Sequence, residues 1–276
     1  MMKFAMLASG SRGNCFLLQD ENTFLMIDCG TTKKYLSEAF SASGFCREDL
    51  DAVLITHTHT DHVSCLRMFE DHPIYAAADL GDVPYTRVKP MEKFPLEHLT
   101  ILPLALSHDA EDTVGYVIES WQEKLVYITD TGYVKDSYLP LLKGADYIIL
   151  ESNHDVEMLM HTRRPQYLKM RIASDSGHLC NEDCAAILDQ IVTERTKQII
   201  LAHISREANT REKALEVSRQ VLEHHPNRNP HLLLCAAGQY EVIRGGAWTD
   251  EKVDPGSCSC VVDLEHLSDR ISQESF

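Results

Sequence analysis

Six consecutive residues, His57-Thr58-His59-Thr60-Asp61-His62, carry four metal-capable side chains and follow directly on an apolar run, Ala52-Val53-Leu54-Ile55-Thr56. A short apolar run of this kind reads as a strand inside a sheet, so the fold must deliver imidazole and carboxylate to the end of an interior strand. In an extended loop, residues two apart point the same way. His57 and His59 can therefore share one ion while Asp61 and His62 face a neighbouring position, which implies two adjacent metal sites. Imidazole and carboxylate without thiolate suit zinc, manganese or iron and argue against a closed structural zinc knot. The motif reads as a catalytic centre. A single histidine here would be an ordinary turn residue; four such side chains spaced by two small threonines are not.

The chain can build a core around such a site. Its 276 residues, 44% of them hydrophobic, suffice for one large α/β domain or two small ones. No apolar stretch is long enough to span a bilayer, and the apolar part of the first ten residues is too short for a signal peptide, which points to a cytoplasmic protein without membrane contact. The nine cysteines are scattered and form no CxxC pair, a pattern of reduced, mostly buried thiols; Cys258 and Cys260 read as incidental. A formal net charge of -16 argues against broad attraction to nucleic acid or anionic lipid. Two divalent ions would locally reverse that potential.

Strands are expected at residues 3–8, 15–19 and 23–28 as a meander, then at 52–56, 74–76, 99–106, 113–119 and 124–129. In the second half, buried strands at 146–151 and 198–202 alternate with helices near 155–172, 182–194 and 210–224, with Asn181 and Thr210 as helix N-caps. A first-half helix is expected at 33–42, and strands at 231–237 and 240–244 close the domain. This alternation implies an α/β fold of two sheets sandwiched between helices, spanning 1–246, with a tail of unknown role at 247–276 in which residues 261–264 are apolar enough to pack. A two-ion hydrolytic site needs further ligands, and His108, Asp130 and His203 each follow an expected strand, where side chains can converge on one rim of a sheet.

The chain resembles the metallo-β-lactamase-fold hydrolases, whose HxHxDH signature matches residues 57–62. The resemblance implies a four-layer αββα sandwich in which His57, His59 and His108 hold one metal, Asp61, His62 and His203 the other, and Asp130 bridges. It assigns Asp28 to orienting the ligands, and counts Asp28 and Asp61 with the catalytic set. Asp130 instead of cysteine departs from true β-lactamases, and Thr58 and Thr60 depart from the HxExDH form of oxygen-reducing relatives. Over residues 3–245 the segments 7–15 (LASGSRGNC), 107–109 (SHD), 151–155 (ESNHD), 174–181 (SDSGHLCN) and 201–205 (LAHIS) resemble the YycJ/WalJ/VicX branch. Against that pattern Arg12 replaces a small residue, Cys180 replaces serine, and the tail is additional.

The branch implies phosphodiester hydrolysis, including exonuclease action on DNA from a 5′ end, by a water held between two divalent ions, zinc first and manganese or iron as alternatives. His154 and His178 are the candidates for protonating the leaving oxygen. Substrate phosphates would be met by Arg12 and Asn14 in the glycine-rich turn and by Arg163, Arg164 and Lys169, which with Arg171 form a basic island in an acidic chain. The alternatives are hydrolysis of a small ester, thioester, lactone or cyclic nucleotide, and a metal-binding interaction module without turnover; the complete ligand set argues against the last.

Overall fold

The computed structural model describes residues 1–248 and the backbone of 262–263. The expected meander is present as β1 (Met2–Ala8), β2 (Cys15–Asp20) and β3 (Thr23–Ile27), each antiparallel to the last. After helix α1 (Lys33–Ser43), strand β4 (Ala52–Ile55) joins β3 in parallel, followed by the short helix α2 (Thr60–Val63) and by β5 (Ile74–Ala76) and β6 (Thr86–Arg87). A second sheet opens with β7 (Phe94–Leu96), β8 (Leu99–Ala105), β9 (Val114–Glu119) and β10 (Lys124–Ile128), all antiparallel. It continues in parallel through β11 (Tyr147–Glu151), β12 (Gln198–Ala202) and β13 (Leu233–Ala236). Helices α3 (Leu139–Leu142), α4 (Val156–His161), α5 (Gln166–Ile172), α6 (Asn181–Ile191) and α7 (Arg211–Glu223) fill the connections. Strand β14 (Ile243–Gly246) then crosses back to pair with β1, and β15 (Val262–Asp263) pairs with β13.

Period-2 alternation explains the layering, because successive strand residues point to opposite faces. Phe4, Phe16, Leu25 and Leu54 of the first sheet meet Tyr116, Tyr127, Ile149 and Ile200 of the second in a shared core. The alternate residues of the first sheet, Ala5, Leu17, Met26 and Val53, pack with Leu36 and Phe40 of α1. The alternate residues of the second, Val126, Ile148 and Ile199, pack with Leu188 of α6 and Leu215 of α7. Three apolar interfaces between four layers make an α/β sandwich.

Two expectations are corrected. The single helix at 155–172 is two, because Pro165 cannot continue a helix and disfavours helical backbone in the residue before it. The N-cap of α6 is Cys180, whose Sγ accepts from Asp183 N, while Asn181 starts the helix with its amide buried against Ser152 and Asn209. The closing strands lie in different sheets, and the two- and three-residue strands β6 and β7 are too short to leave a periodic signal. Thr210 caps α7 as expected. Residues 261, 264, Cys258 and Cys260 lie outside the described residues.

The two sheets are stitched together beneath the metal motif. The Tyr116 hydroxyl, fully buried, donates to Ile55 O at 2.6 Å, and Val114 N donates to Thr56 O at 3.0 Å. Tyr116→Phe should lower stability by about 1–2 kcal/mol, since it strips a buried carbonyl of a partner. Urea unfolding should show a lower midpoint at unchanged slope; an unchanged midpoint would deny this bond a role in joining the sheets.

Candidate metal centre

Strands β1, β3, β4, β8, β10, β11 and β12 run in the same sense within their sheets, and the expected ligands sit at their C-terminal ends, the rim where open α/β sheets collect ligands. Three residues just past those ends, Asp28, Asp130 and His203, take left-handed backbone with φ of 59°, 59° and 54°. Asp and His tolerate that region better than most residues, and it turns each side chain sharply off the strand. The motif loop is pressed against the turn after Asp28: a Cβ on Gly30 would lie 1.7 Å from Asp61 O, so only glycine fits.

The structure gathers His57, His59 and His108 into one cluster and Asp61, His62 and His203 into another, the ligand atoms of each within 4.8 Å. The Asp130 carboxylate lies among them, 3.2 Å from His62 Nε2, 3.4 Å from His203 Nε2 and 4.0 Å from His108 Nε2. The buried atoms His57 Nε2 and His203 Nε2 have no hydrogen-bond partner. Orphaned lone pairs buried together are costly unless a cation meets them, so the donor set fits metal ions.

The other nitrogen of most of these rings is held from behind. His62 Nδ1 donates to Asp28 at 2.7 Å, His203 Nδ1 to Glu151 at 2.9 Å, and His108 Nδ1 to Gly177 O at 3.2 Å. His57 Nδ1 lies 3.0 Å from Thr56 Oγ1. Such contacts fix tautomer and ring orientation, leaving Nε2 to face the cluster. Glu151 is buried and accepts four hydrogen bonds, from His178 Nδ1 at 2.7 Å, His203 Nδ1, Thr131 N and Leu179 N. Reading the sequence alone misses it as a site residue, although it ends an apolar strand just as Asp130 and His203 follow one. Asp109, 3.3 Å from His108 Nε2, and Asn153, donating to His203 O at 2.8 Å, are missed likewise.

The remaining expected residues divide. His178 joins Asp130, Glu151 and His203 in a further cluster and is 21% exposed, whereas His154 is 1% exposed and outside every cluster. Asn14 is buried, its amide 2.8 Å from His62 Nε2 and 3.1 Å from Gly10 O, so it braces the motif and does not face solvent. The Lys169 ammonium is engaged by the Met160 carbonyl near the end of α4. Arg171 pairs with Asp109 at the rim, Arg164 with Glu207, and Arg12 and Arg163 are exposed.

Electrostatics separate the histidines. Burial, reinforced by the nearby His62 charge, drives His57 down to about 2. Burial also opposes charge on His62, but Asp130 and Asp28 outweigh it and lift the group to about 10. His203 is raised well above the usual range in the same way by Asp130, Asp61 and Glu151 against burial. Asp61 falls to about 2, because His203 and His62 outweigh its burial. At about pH 8, above the ordinary imidazole value and below that of His62, the metal-free protein therefore holds the His62 proton. A cation can bind only to the neutral ring, so metal uptake should release protons at this pH. Calorimetric titration with metal in buffers of different ionisation enthalpy reads the release; no release would mean that the His62 ring is already neutral.

A family described as a beta-lactamase superfamily domain matches residues 23–204. The chain is 36% identical over 238 residues to the exodeoxyribonuclease YycJ of Bacillus anthracis, covering 80% of this chain and 89% of the relative. It is 34% identical over 228 residues to the exodeoxyribonuclease WalJ of Streptococcus pneumoniae, covering 77% and 85%. Among solved structures, the metallo-beta-lactamase-fold protein YhfI from Bacillus subtilis superposes with a TM-score of 0.65 at 20% identity, over 88% of this chain and 99% of that one, which shows a shared fold.

Proposed function

The chain belongs to the beta-lactamase superfamily, and from that premise we propose that it is a metal-dependent phosphodiesterase that degrades DNA as an exonuclease acting from a 5′ end. The observation that carries the proposal is the buried Asp130 carboxylate lodged between the two histidine clusters, 3.2 Å from His62 Nε2 and 3.4 Å from His203 Nε2. His57, His59 and His108 would hold one divalent ion and Asp61, His62 and His203 a second, with Asp130 available to both. The oxygen and nitrogen donors accommodate zinc, manganese or iron. Two cations so held would supply acidification of a water and neutralisation of charge on a phosphoryl group.

The protein's own groups supply the rest. Asp28 and Glu151 keep the His62 and His203 rings turned so that Nε2 faces inward. We assign the proton donor for the leaving oxygen to His178: its Nδ1 is fixed by Glu151, which leaves Nε2 to carry the transferred proton, and the ring reaches solvent. His154, sealed inside the protein, cannot reach a leaving group. The seven cysteines described are free thiols, which supports a reducing compartment, the cytoplasm. Among the described residues no helix is long and apolar enough to cross a membrane.

The test is metal analysis followed by cleavage of 5′-labelled single- and double-stranded DNA with added manganese. Wild type should carry two ions per chain and cut DNA, and Asp130→Asn should cut slower on the order of 10²-fold or more. Two ions without DNA cleavage would sink the nuclease reading and point to small esters. His178→Ala should slow DNA cleavage by about 10²–10⁴-fold while sparing a diester with a nitrophenolate leaving group, which needs no proton. Equal losses on both substrates would remove His178 from the role of acid.

A further inference from the structure

Beside the metal centre lies a cleft of about 310 Å³ whose walls include Ser11, Arg12, Arg164, Ser205, Arg206 and Gln239. Its three arginines come from the β1–β2 turn, the α4–α5 linker and the β12–α7 loop, segments distant in sequence. Glu207 also borders it and pairs with Arg164 at 2.9 Å, whereas among the described residues the guanidinium groups of Arg12 and Arg206 have no carboxylate partner. Convergence of unpaired arginines is unexpected in a chain of net charge -16. The turn bearing Arg12 is fixed: Gln239 accepts from Arg12 N and donates to Gly13 O, both at 3.0 Å, and Asn14 N donates to Asp61 O at 2.8 Å.

Ile204, which lines the cleft, directly follows His203 of the metal cluster. His203 N donates to Ser9 Oγ at 2.7 Å, and Ser205 follows His203 by two residues, so their Cα atoms are at most about 7.6 Å apart. Planar guanidinium forks match phosphate oxygens, and a volume at the low end of ligand pockets, which run about 300–1,000 Å³, suits a phosphate with its sugar rather than a longer segment. We propose that this cleft seats a phosphate group of the DNA strand one or two nucleotides from the bond cut, and so sets the register of cleavage. The proposal rests on the nuclease reading. The phosphate is either the 5′-terminal one or the next in the backbone, and the two differ only in whether the strand must begin there.

The measurement is fluorescence anisotropy with the metal-loaded full chain and short thymidine oligonucleotides whose phosphorothioate linkages resist cleavage, bearing either a 5′-phosphate or a 5′-hydroxyl. Arg206→Ala and, separately, Arg12→Ala should weaken binding at least tenfold and flatten the salt dependence by about 0.7 in log–log slope for each phosphate charge no longer neutralised. Weakening confined to the 5′-phosphorylated strand identifies an end pocket; equal weakening on both identifies a backbone seat. If both variants bind both strands as wild type does, the proposal is overturned, and continued cutting of DNA by wild type would leave the nuclease reading intact. If wild type binds through Arg206 but cuts nothing, the nuclease reading fails and the phosphate cleft stands.

Discussion

The metal motif depends on a carboxylate with no access to solvent. Asp28 accepts from Thr56 N at 2.9 Å, from Thr56 Oγ1 at 2.8 Å and from His62 Nδ1 at 2.7 Å. A buried carboxylate without partners would cost several kcal/mol, so these three donors have to be where they are once Asp28 is sealed in the core. Thr56 is the last residue before the motif and His62 the last residue in it. Asp28 thereby grips the hexapeptide at both ends, and the loop between has little freedom in how it presents His57, His59 and Asp61.

The second sheet repeats this construction with Glu151. Its four donors draw the loops after β10, β12 and α5 to one point, in the way that Asp28 draws together those after β3 and β4. Each sheet thus carries its own buried carboxylate and its own share of the candidate ligands. Cations bound to both shares would join the sheets at the rim as Tyr116 joins them in the core, so metal occupancy would contribute to folding stability.

What is legible in the sequence is what is local. The hexapeptide, the apolar strands and the residues directly after them announce themselves within a few positions, and they suffice for the sandwich and for collecting seven donors. Glu151 and Asp109 carry no such signal, since a single acidic residue acquires meaning only from what converges on it in space. Arg206 is the same case, an ordinary surface arginine until the β1–β2 turn and the α4–α5 linker are placed around it. Asn14 and Lys169 mislead in the other direction: polar character suggests solvent, and the structure buries both against backbone carbonyls. The break between α4 and α5 is written in Pro165, but apolar spacing on either side of it reads as continuous.

Strand β14 pairs with β1 across almost the whole described length of the chain, as in the register of Met6 with Ile243, and lies outermost in its sheet. On a ribosome the meander emerges well before β14, and β1 presents an unpaired edge until β14 arrives. At about 5–20 residues per second that interval is on the order of ten to fifty seconds. An open, apolar edge invites pairing with other chains. The order of synthesis therefore leaves an early strand uncovered until a late one is made, and places the vulnerable period of this protein's biogenesis before β14.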